Sequence, residues 1–322
     1  GPARVNILHL NLEEIPKAMA YWPDVFSGAT NIAVPYLELS HPAPEQELGL
    51  ALVHRVFAAT EHIRTVIGDR LPVDVVGSAV DLTDLPDRAA ARQAALGALC
   101  RPEDFVVLVS GDALSGLDRK NIMGAARAFL VAFPDDPACR LIIKTHSIRR
   151  AHEARQQRIW DNLNELAAED PRIILLDRHL DSTAYHQLQS ACDVYLSLHR
   201  AEGLGYHVLE SMQLGIPCIV TDYSGTRDFC TAETALRVGY RMARVETWHY
   251  PFTRGEQQWA DPNLEEAVQH LQALAALPDR GRAMGLRARQ LIHAHYSLPA
   301  FAGRLKALLG PIIAAGPVVD QV

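Results

Sequence analysis

The chain has 322 residues, 48% hydrophobic and 21% charged, with 20 Gly and 19 Pro; it is long enough for about two domains and unlike disordered, collagenous or coiled-coil chains. Thirty-eight acidic against 31 basic side chains leave a net charge of −7, which argues against nucleic acid as a partner because that needs a net basic footprint. No run approaches the ~18 consecutive apolar residues of a membrane-spanning helix, and GPARVNILHLN at the start lacks the basic and apolar regions of a signal peptide. A soluble, cytoplasmic protein with at most peripheral membrane contact is expected.

The five cysteines, Cys100, Cys139, Cys192, Cys218 and Cys230, form no C-x-x-C pair and read as buried thiols rather than a disulfide framework or a zinc site. Gly1 and Pro2 read as a protease scar or the cut edge of a longer chain and are set aside. VNILHLN (5–11) and VDVVGSAV (73–80) then read as strands, with a short strand and a helix in HRVFAATEHIRTVIG (54–68) between them. Residues 3–81 are thus expected to form a first, partial Rossmann-like domain, and the acidic, Pro- and Ala-bearing stretch 82–104 a linker.

Beyond the linker, strands and helices alternate five times, as in a doubly wound parallel sheet. FVVLVSG (105–111), CRLIIKT, RIILL, VYLSLH and PCIVTD are the strands; the helices span 121–133, 152–168, 182–192 and 205–214. NLEEAVQHLQALAAL and RAMGLRARQLIHAHY read as closing helices of this second domain, residues 105–310, and 311–322 as a loose tail.

One segment carries the chemistry, HRAEGLGYHVLESMQLGIPCIVTDYSG, residues 199–225. Gly203 and Gly205 remove side chains where a strand turns into a helix, so bare amides and the positive helix end face an anion. Glu202 before that turn and Glu210 inside the helix are acceptor-only groups suited to the hydroxyls that flank a diphosphate. Glycines before a helix are also an ordinary tight turn, and Glu210 also suits a solvated helix face.

E-G-x-G with a second Glu eight positions after the first, then M-x-x-G-x-P, resembles the E-x7-E signature of retaining GT-B glycosyltransferases (family 4-like, group 1). VVGSAVDL, GDALSGLDRKN, LIIKT, ACDVYLSLHRAEGLG, PCIVTD and YSGTRDF extend the likeness from about Asp74 to Tyr296, and NLEEIPKAM and PYLELSHPAP share it. The resemblance implies an α/β GT-B fold of two Rossmann-like domains with parallel sheets, the first one short or truncated. It also implies a retaining hexosyltransferase acting from a nucleoside-diphosphate sugar to a glycan or lipid-linked acceptor, in polysaccharide biosynthesis, with no cofactor and no metal.

Carried over position by position, Glu202 would hold the donor sugar, Glu210 the ribose, and Lys120 the departing diphosphate. The amides of Gly203, Leu204, Gly205 and Tyr206 would meet the phosphates. Where many members carry Gly-Arg, this chain has Gly111 and Asp112, so Arg119 is read as the second cation. Lys144 at the end of LIIKT is a further substrate-binding candidate, with a surface lysine as its alternative. In the first domain His9 is the candidate near the sugar, and Trp22, Tyr36 and Glu38 are possible acceptor contacts. His293 and His295 read as surface or packing residues. The basic run at 149–158 touches an acidic acceptor or membrane head groups, or simply presents a solvated helix face. Asp228 and Arg178 either line the nucleotide pocket or cap turns. Rival readings are a non-catalytic sugar-nucleotide-binding module with an incomplete acceptor domain, and an epimerase or phosphorylase of the same fold. The lack of a G-x-G-x-x-G after the first strand argues against a dehydrogenase.

Overall fold

The computed structural model describes residues 5–80, 82, 87–148, 154–247, 249–250 and 252–316. The first domain runs β1 (Val5–Leu8), α1 (Ile15–Tyr21), α2 (Pro23–Phe26), β2 (Thr30–Ala33), α3 (Pro44–Leu50), β3 (Arg55–Ala58), α4 (Glu61–Ile67) and β4 (Val73–Val75). Its four strands are parallel and lie in sequence order, β1-β2-β3-β4. β1 therefore sits at an edge, and β2, absent from the sequence reading, lies between β1 and β3.

The expected linker is partly helix. α5 (Arg88–Leu96) is capped by the Asp87 carboxylate, which accepts from the Ala90 amide at 2.9 Å. It is tied to the second domain, since Arg92 pairs with Asp193 at 3.1 Å and Arg88 meets the same carboxylate.

The second domain runs β5 (Phe105–Asp112), α6 (Leu117–Lys120), α7 (Ile122–Ala132), β6 (Cys139–His146), α8 (Ala154–Glu169), β7 (Ile173–Asp177), α9 (Ser182–Ala191), β8 (Val194–Ser197), α10 (Tyr206–Gln213), β9 (Cys218–Thr221) and β10 (Leu236–Val238). Its sheet is parallel in the order β10-β9-β8-β5-β6-β7. β5 and β6 are nearly continuous apolar runs because helices cover both faces of the sheet. The chain winds outward from β5 to β7, returns, and winds the other way from β8 to β10. The order reverses between β5 and β8, and ligands gather in the crevice beyond the carboxyl ends at such a switch point.

An antiparallel hairpin, β11 (Tyr240–Arg244) and β12 (Gln258–Pro262), follows, then α11 (Leu264–Ala276), α12 (Pro278–Tyr296) and α13 (Leu298–Ala315). The last helix does not close the domain it follows in sequence. Phe301, Leu305, Leu308, Leu309 and Ile312 pack on Ile32, Phe57 and Val76 of the first domain, and Arg304 donates to the Val76 carbonyl at 2.8 Å. Residues 311–315, expected in a loose tail, continue this helix through Pro311, while 317–322 lie outside the described residues. By length and composition alone, 278–315 is the one helical stretch among the described residues long and apolar enough to cross a membrane. One apolar core joins the two domains, with Leu37 and Ile63 of the first and Leu204 and Val208 of the second in the same cluster.

Candidate active site

Two loops meet at the switch point. The loop after β5 runs through α6 to Lys120 and turns at Asn121, whose backbone is left-handed (φ 52°), a conformation Asn tolerates better than most residues. The loop after β8 carries His199 to Gly205. They are joined directly, because the Arg200 amide donates to the Arg119 carbonyl at 2.7 Å.

Glu202 is the centre of the cluster and is 6% exposed. Lys120 donates to its Oε1 and Arg119 Nη1 lies 3.2 Å from its Oε2. Burial alone would raise the carboxyl's affinity for protons. The two cations outweigh that, Lys120 first, and hold Glu202 well below the usual carboxylate range. The Glu202 amide donates to Ser224 Oγ at 2.8 Å, and its carbonyl accepts from the Gly225 amide at 2.9 Å. A Cβ at Gly225 would lie 2.2 Å from the Gly203 carbonyl oxygen, so only glycine lets the two loops approach this closely. His199, fully buried beneath them, has its pKa pushed down to about 4 by burial and is neutral. Its Nε2 lies 3.2 Å from the Tyr223 carbonyl and its Nδ1 2.9 Å from Ser197 Oγ.

Gly203, Leu204, Gly205 and Tyr206 lead into α10. Among the described residues none of their amides donates to another group, and the first three residues are buried. Amides aligned at a helix start and left without acceptors form a seat for an anion. Glu210 lies within that helix, flanked by His207 Nδ1 at 3.2 Å from Oε2 and His186 Nε2 at 3.5 Å from Oε1. Burial raises its pKa, but the contacts with both imidazoles outweigh this and bring it down to about 2.

The remaining expected residues fall differently. Arg119 is 4% exposed and committed. Its Nε and Nη2 donate to the Ser115 carbonyl at 3.2 and 3.1 Å, and Nη1 donates to the Ala201 carbonyl at 2.9 Å. Its guanidinium thus holds loops and acids in place and has no free edge for a diphosphate. Lys144 is also buried, donating to the Thr145 carbonyl at 3.0 Å, with its pKa lowered by burial. No described contact joins it to the Glu202 cluster. Asp112, in the position where the resemblance expects Arg, faces His146 at 3.6 Å. His9 stands exposed just past edge strand β1, and Trp22 is 62% exposed on α2's cap. Neither makes a described contact with the second domain. Of the basic run 149–158, residues 149–153 lie outside the described residues.

The first domain meets the site through the loops after β2, β3 and β4. Tyr36 packs 3.5 Å from the position of a Cβ at Gly203, and its hydroxyl is 3.4 Å from that of Tyr206. Ser78 Oγ lies 2.8 Å from the same Tyr206 hydroxyl, and Thr60 Oγ1 donates to the Gly203 carbonyl at 2.9 Å. Asp228 accepts from the Glu61 amide at 2.9 Å, a contact between the domains, and lines a cavity with Ala59, Gly77, Tyr296 and Arg304. Thr60 and His186 carry no local sequence signal. Ser78, His207, Ser224 and Tyr36 lie in VVGSAVDL, the segment 199–225, YSGTRDF and PYLELSHPAP, which do. Among the described residues no group of three or more His, Cys, Asp or Glu side chains converges as metal ligands would.

The family model described as glycosyl transferases group 1 matches residues 174–238, from β7 to β10, a stretch that contains both Glu202 and Glu210. In fold the chain is similar to sucrose-phosphate synthase from Thermosynechococcus elongatus, with a TM-score of 0.72, 17% identity, and coverage of 96% of this chain and 74% of that one. It is similar to HepE of Anabaena, solved with UDP and glucose, at a TM-score of 0.70 and 14% identity, covering 96% and 78%. It is also similar to the pneumococcal O-GlcNAc transferase GtfA, solved with UDP and GlcNAc, at 0.63 and 16%, covering 96% of this chain but 57% of that one. No curated protein matches the chain by sequence. The fold is GT-B: two Rossmann-like domains with parallel sheets whose carboxyl ends face one cleft.

Proposed function

We propose that the protein is a retaining glycosyltransferase that moves a hexose from a nucleoside-diphosphate sugar to a glycan or lipid-linked acceptor, without a metal and in the cytoplasm. The observation that carries this reading is the pairing of unbonded amides at Gly203–Tyr206 with an acid on either side, Glu202 at the loop and Glu210 within the helix, and with Lys120 in contact with Glu202. The group 1 match over 174–238 and the fold shared with proteins solved with UDP and a sugar support it.

In the reaction the bond from the anomeric carbon to the diphosphate oxygen breaks and a bond to the acceptor hydroxyl forms. The acceptor's proton goes to the departing diphosphate. Negative charge builds on that leaving group, where Lys120 and the aligned amides stabilise it most. Arrival of the donor draws Lys120 from Glu202 to the diphosphate and frees Oε1 for a sugar hydroxyl. Glu210, fixed by His186 and His207, accepts from the ribose hydroxyls.

The test is a panel of UDP- and GDP-sugars scored by thermal shift and by transfer or hydrolysis. A donor at 100 times its dissociation constant adds about 2.7 kcal/mol of stability. Absence of binding and of turnover across the panel would refute the assignment. The four-stranded first sheet favours one second reading, a binding module with an incomplete acceptor side; it predicts donor binding with neither transfer nor hydrolysis.

A further inference from the structure

The hairpin β11–β12 does more than decorate the second domain. The Ser40 amide donates to the Gln258 carbonyl at 3.2 Å, the Gln258 amide donates to Ser40 Oγ at 2.8 Å, and Arg254 pairs with Glu45. The hairpin is thereby strapped to the segment after β2 of the first domain. From its connecting loop Tyr250 donates to Glu38 Oε2 at 2.6 Å. The other oxygen of Glu38 lies 3.6 Å from Arg119 Nη2, and Arg119 Nη1 lies 3.2 Å from Glu202 Oε2. Charges thus alternate along one line of half-buried and buried groups: Glu38, Arg119, Glu202, Lys120.

We propose that Glu38 and Tyr250 are positioning residues that act through Arg119 on Glu202, so that the sugar-holding carboxylate is set in place only while the first domain and the hairpin are docked. This rests on the glycosyltransferase reading for its kinetic consequence, but not for its structural one. Once Lys120 turns to the diphosphate, Glu202 keeps a single cation, Arg119, on Oε2. Among the described residues the far side of that guanidinium meets one acid, Glu38, and Glu38 in turn is held by the Tyr250 hydroxyl. Loss of Glu38 leaves Arg119 its two carbonyls and Glu202 but removes the contact that reports domain closure. Neither Glu38 nor Tyr250 touches the amide seat or Glu210, so nucleotide binding is independent of them.

Glu38→Ala, Glu38→Gln, Tyr250→Phe and the double variant Glu38→Ala/Tyr250→Phe are compared with wild type in three measurements. The first is kcat for sugar transfer, the second the Kd of UDP or GDP, and the third hydrogen exchange of the 198–206 loop in the ligand-free protein. Glu38→Ala lowers kcat about tenfold, on the scale of one charge-assisted hydrogen bond, with the Kd of the nucleotide unchanged within about twofold. Glu38→Gln, whose single carbonyl oxygen can face Arg119 while its NH2 donates to the Tyr250 hydroxyl oxygen, recovers part of the loss. Tyr250→Phe costs about threefold, and the double variant is no worse than Glu38→Ala, because the phenol acts through the acid. Loop exchange rises in Glu38→Ala and Tyr250→Phe while β5 stays protected. Multiplying effects in the double variant, a parallel loss of nucleotide affinity, or unchanged loop exchange overturns the proposal. A wild-type protein that transfers nothing refutes the glycosyltransferase reading alone, and the exchange measurement still decides whether Glu38 holds the loop.

Discussion

Replacing Gly205 by Ala tests the amide seat at its tightest point. Gly205 has φ +90°, and a Cβ there would lie 2.6 Å from Thr226 Cγ2. The left-handed backbone costs a non-glycine residue roughly 1–2 kcal/mol. Thr226 is fully buried and its hydroxyl is shared with His199 at 3.3 Å, so it has little room to yield, and overpacking of this kind costs about 1–3 kcal/mol. Gly205→Ala is therefore expected to lose about 3 kcal/mol in chemical denaturation with an unchanged denaturant slope. Thr226→Ser keeps the hydroxyl and deletes the clashing methyl. Placed on the Gly205→Ala background it should return about 1 kcal/mol or more, a coupling that the double-mutant cycle isolates. Nucleotide affinity should fall about tenfold in Gly205→Ala, since displacing one amide forfeits a charge-assisted hydrogen bond. If Gly205→Ala were as stable as wild type, or if Thr226→Ser recovered nothing, the close-packed turn would not be what positions the amides.

Other outcomes follow from the same contacts. Lys120→Met removes the cation nearest the proposed leaving group, and steady-state transfer assays should show a loss of at least about tenfold in kcat/KM. Phe129→Ala, deep in the second core and fully buried, should cost about 3–5 kcal/mol by denaturation while nucleotide titration of the folded fraction is unchanged. Stability should decline on acidification in two windows. His199, neutral when folded with its pKa lowered from 6.5 to about 4, binds a proton more readily when unfolded, so its contribution is lost as the pH falls from 6.5 towards 4. Glu210, lowered from 4.5 to about 2, contributes above 4.5 and loses that contribution down to about 2. Each window is worth about 3 kcal/mol at the full shift, and His199→Gln and Glu210→Gln should flatten the upper and lower windows respectively in pH-dependent denaturation.

The parts of the molecule legible in the sequence are those whose signal is local. FVVLVSG and CRLIIKT read as strands because a central parallel strand is apolar on both faces, and the turn into α10 reads from two glycines beside an acid. The hairpin β11–β12 was not legible: YRMAR lies mostly exposed and QWADP carries a Pro and an Asp, so neither shows the alternation that marks a half-buried strand. β2 is four residues long and β10 three, too short for any pattern to rise above its flanks. α13 lies past the two closing helices read from the sequence, its last residues fall in the expected loose tail, and no local pattern says which of two cores it covers.

The same distinction separates Lys120 from Arg119. Both stand in one basic pair at the end of α6, and their sequence neighbourhood makes them equivalent candidates. What divides them is reach across the cleft. Lys120 meets Glu202, 82 positions away within the second domain, whereas Arg119 also meets Glu38 of the first domain, which Tyr250 holds from 212 positions further on. A cation with acids on two sides and carbonyls on the others pays a large desolvation cost that only the assembled domains offset. It is therefore suited to fixing geometry, while its neighbour, bonded to a single acid, is the one free to move to an arriving anion. The division of labour between adjacent residues is a property of domain contact, and no reading confined to the pair itself can supply it.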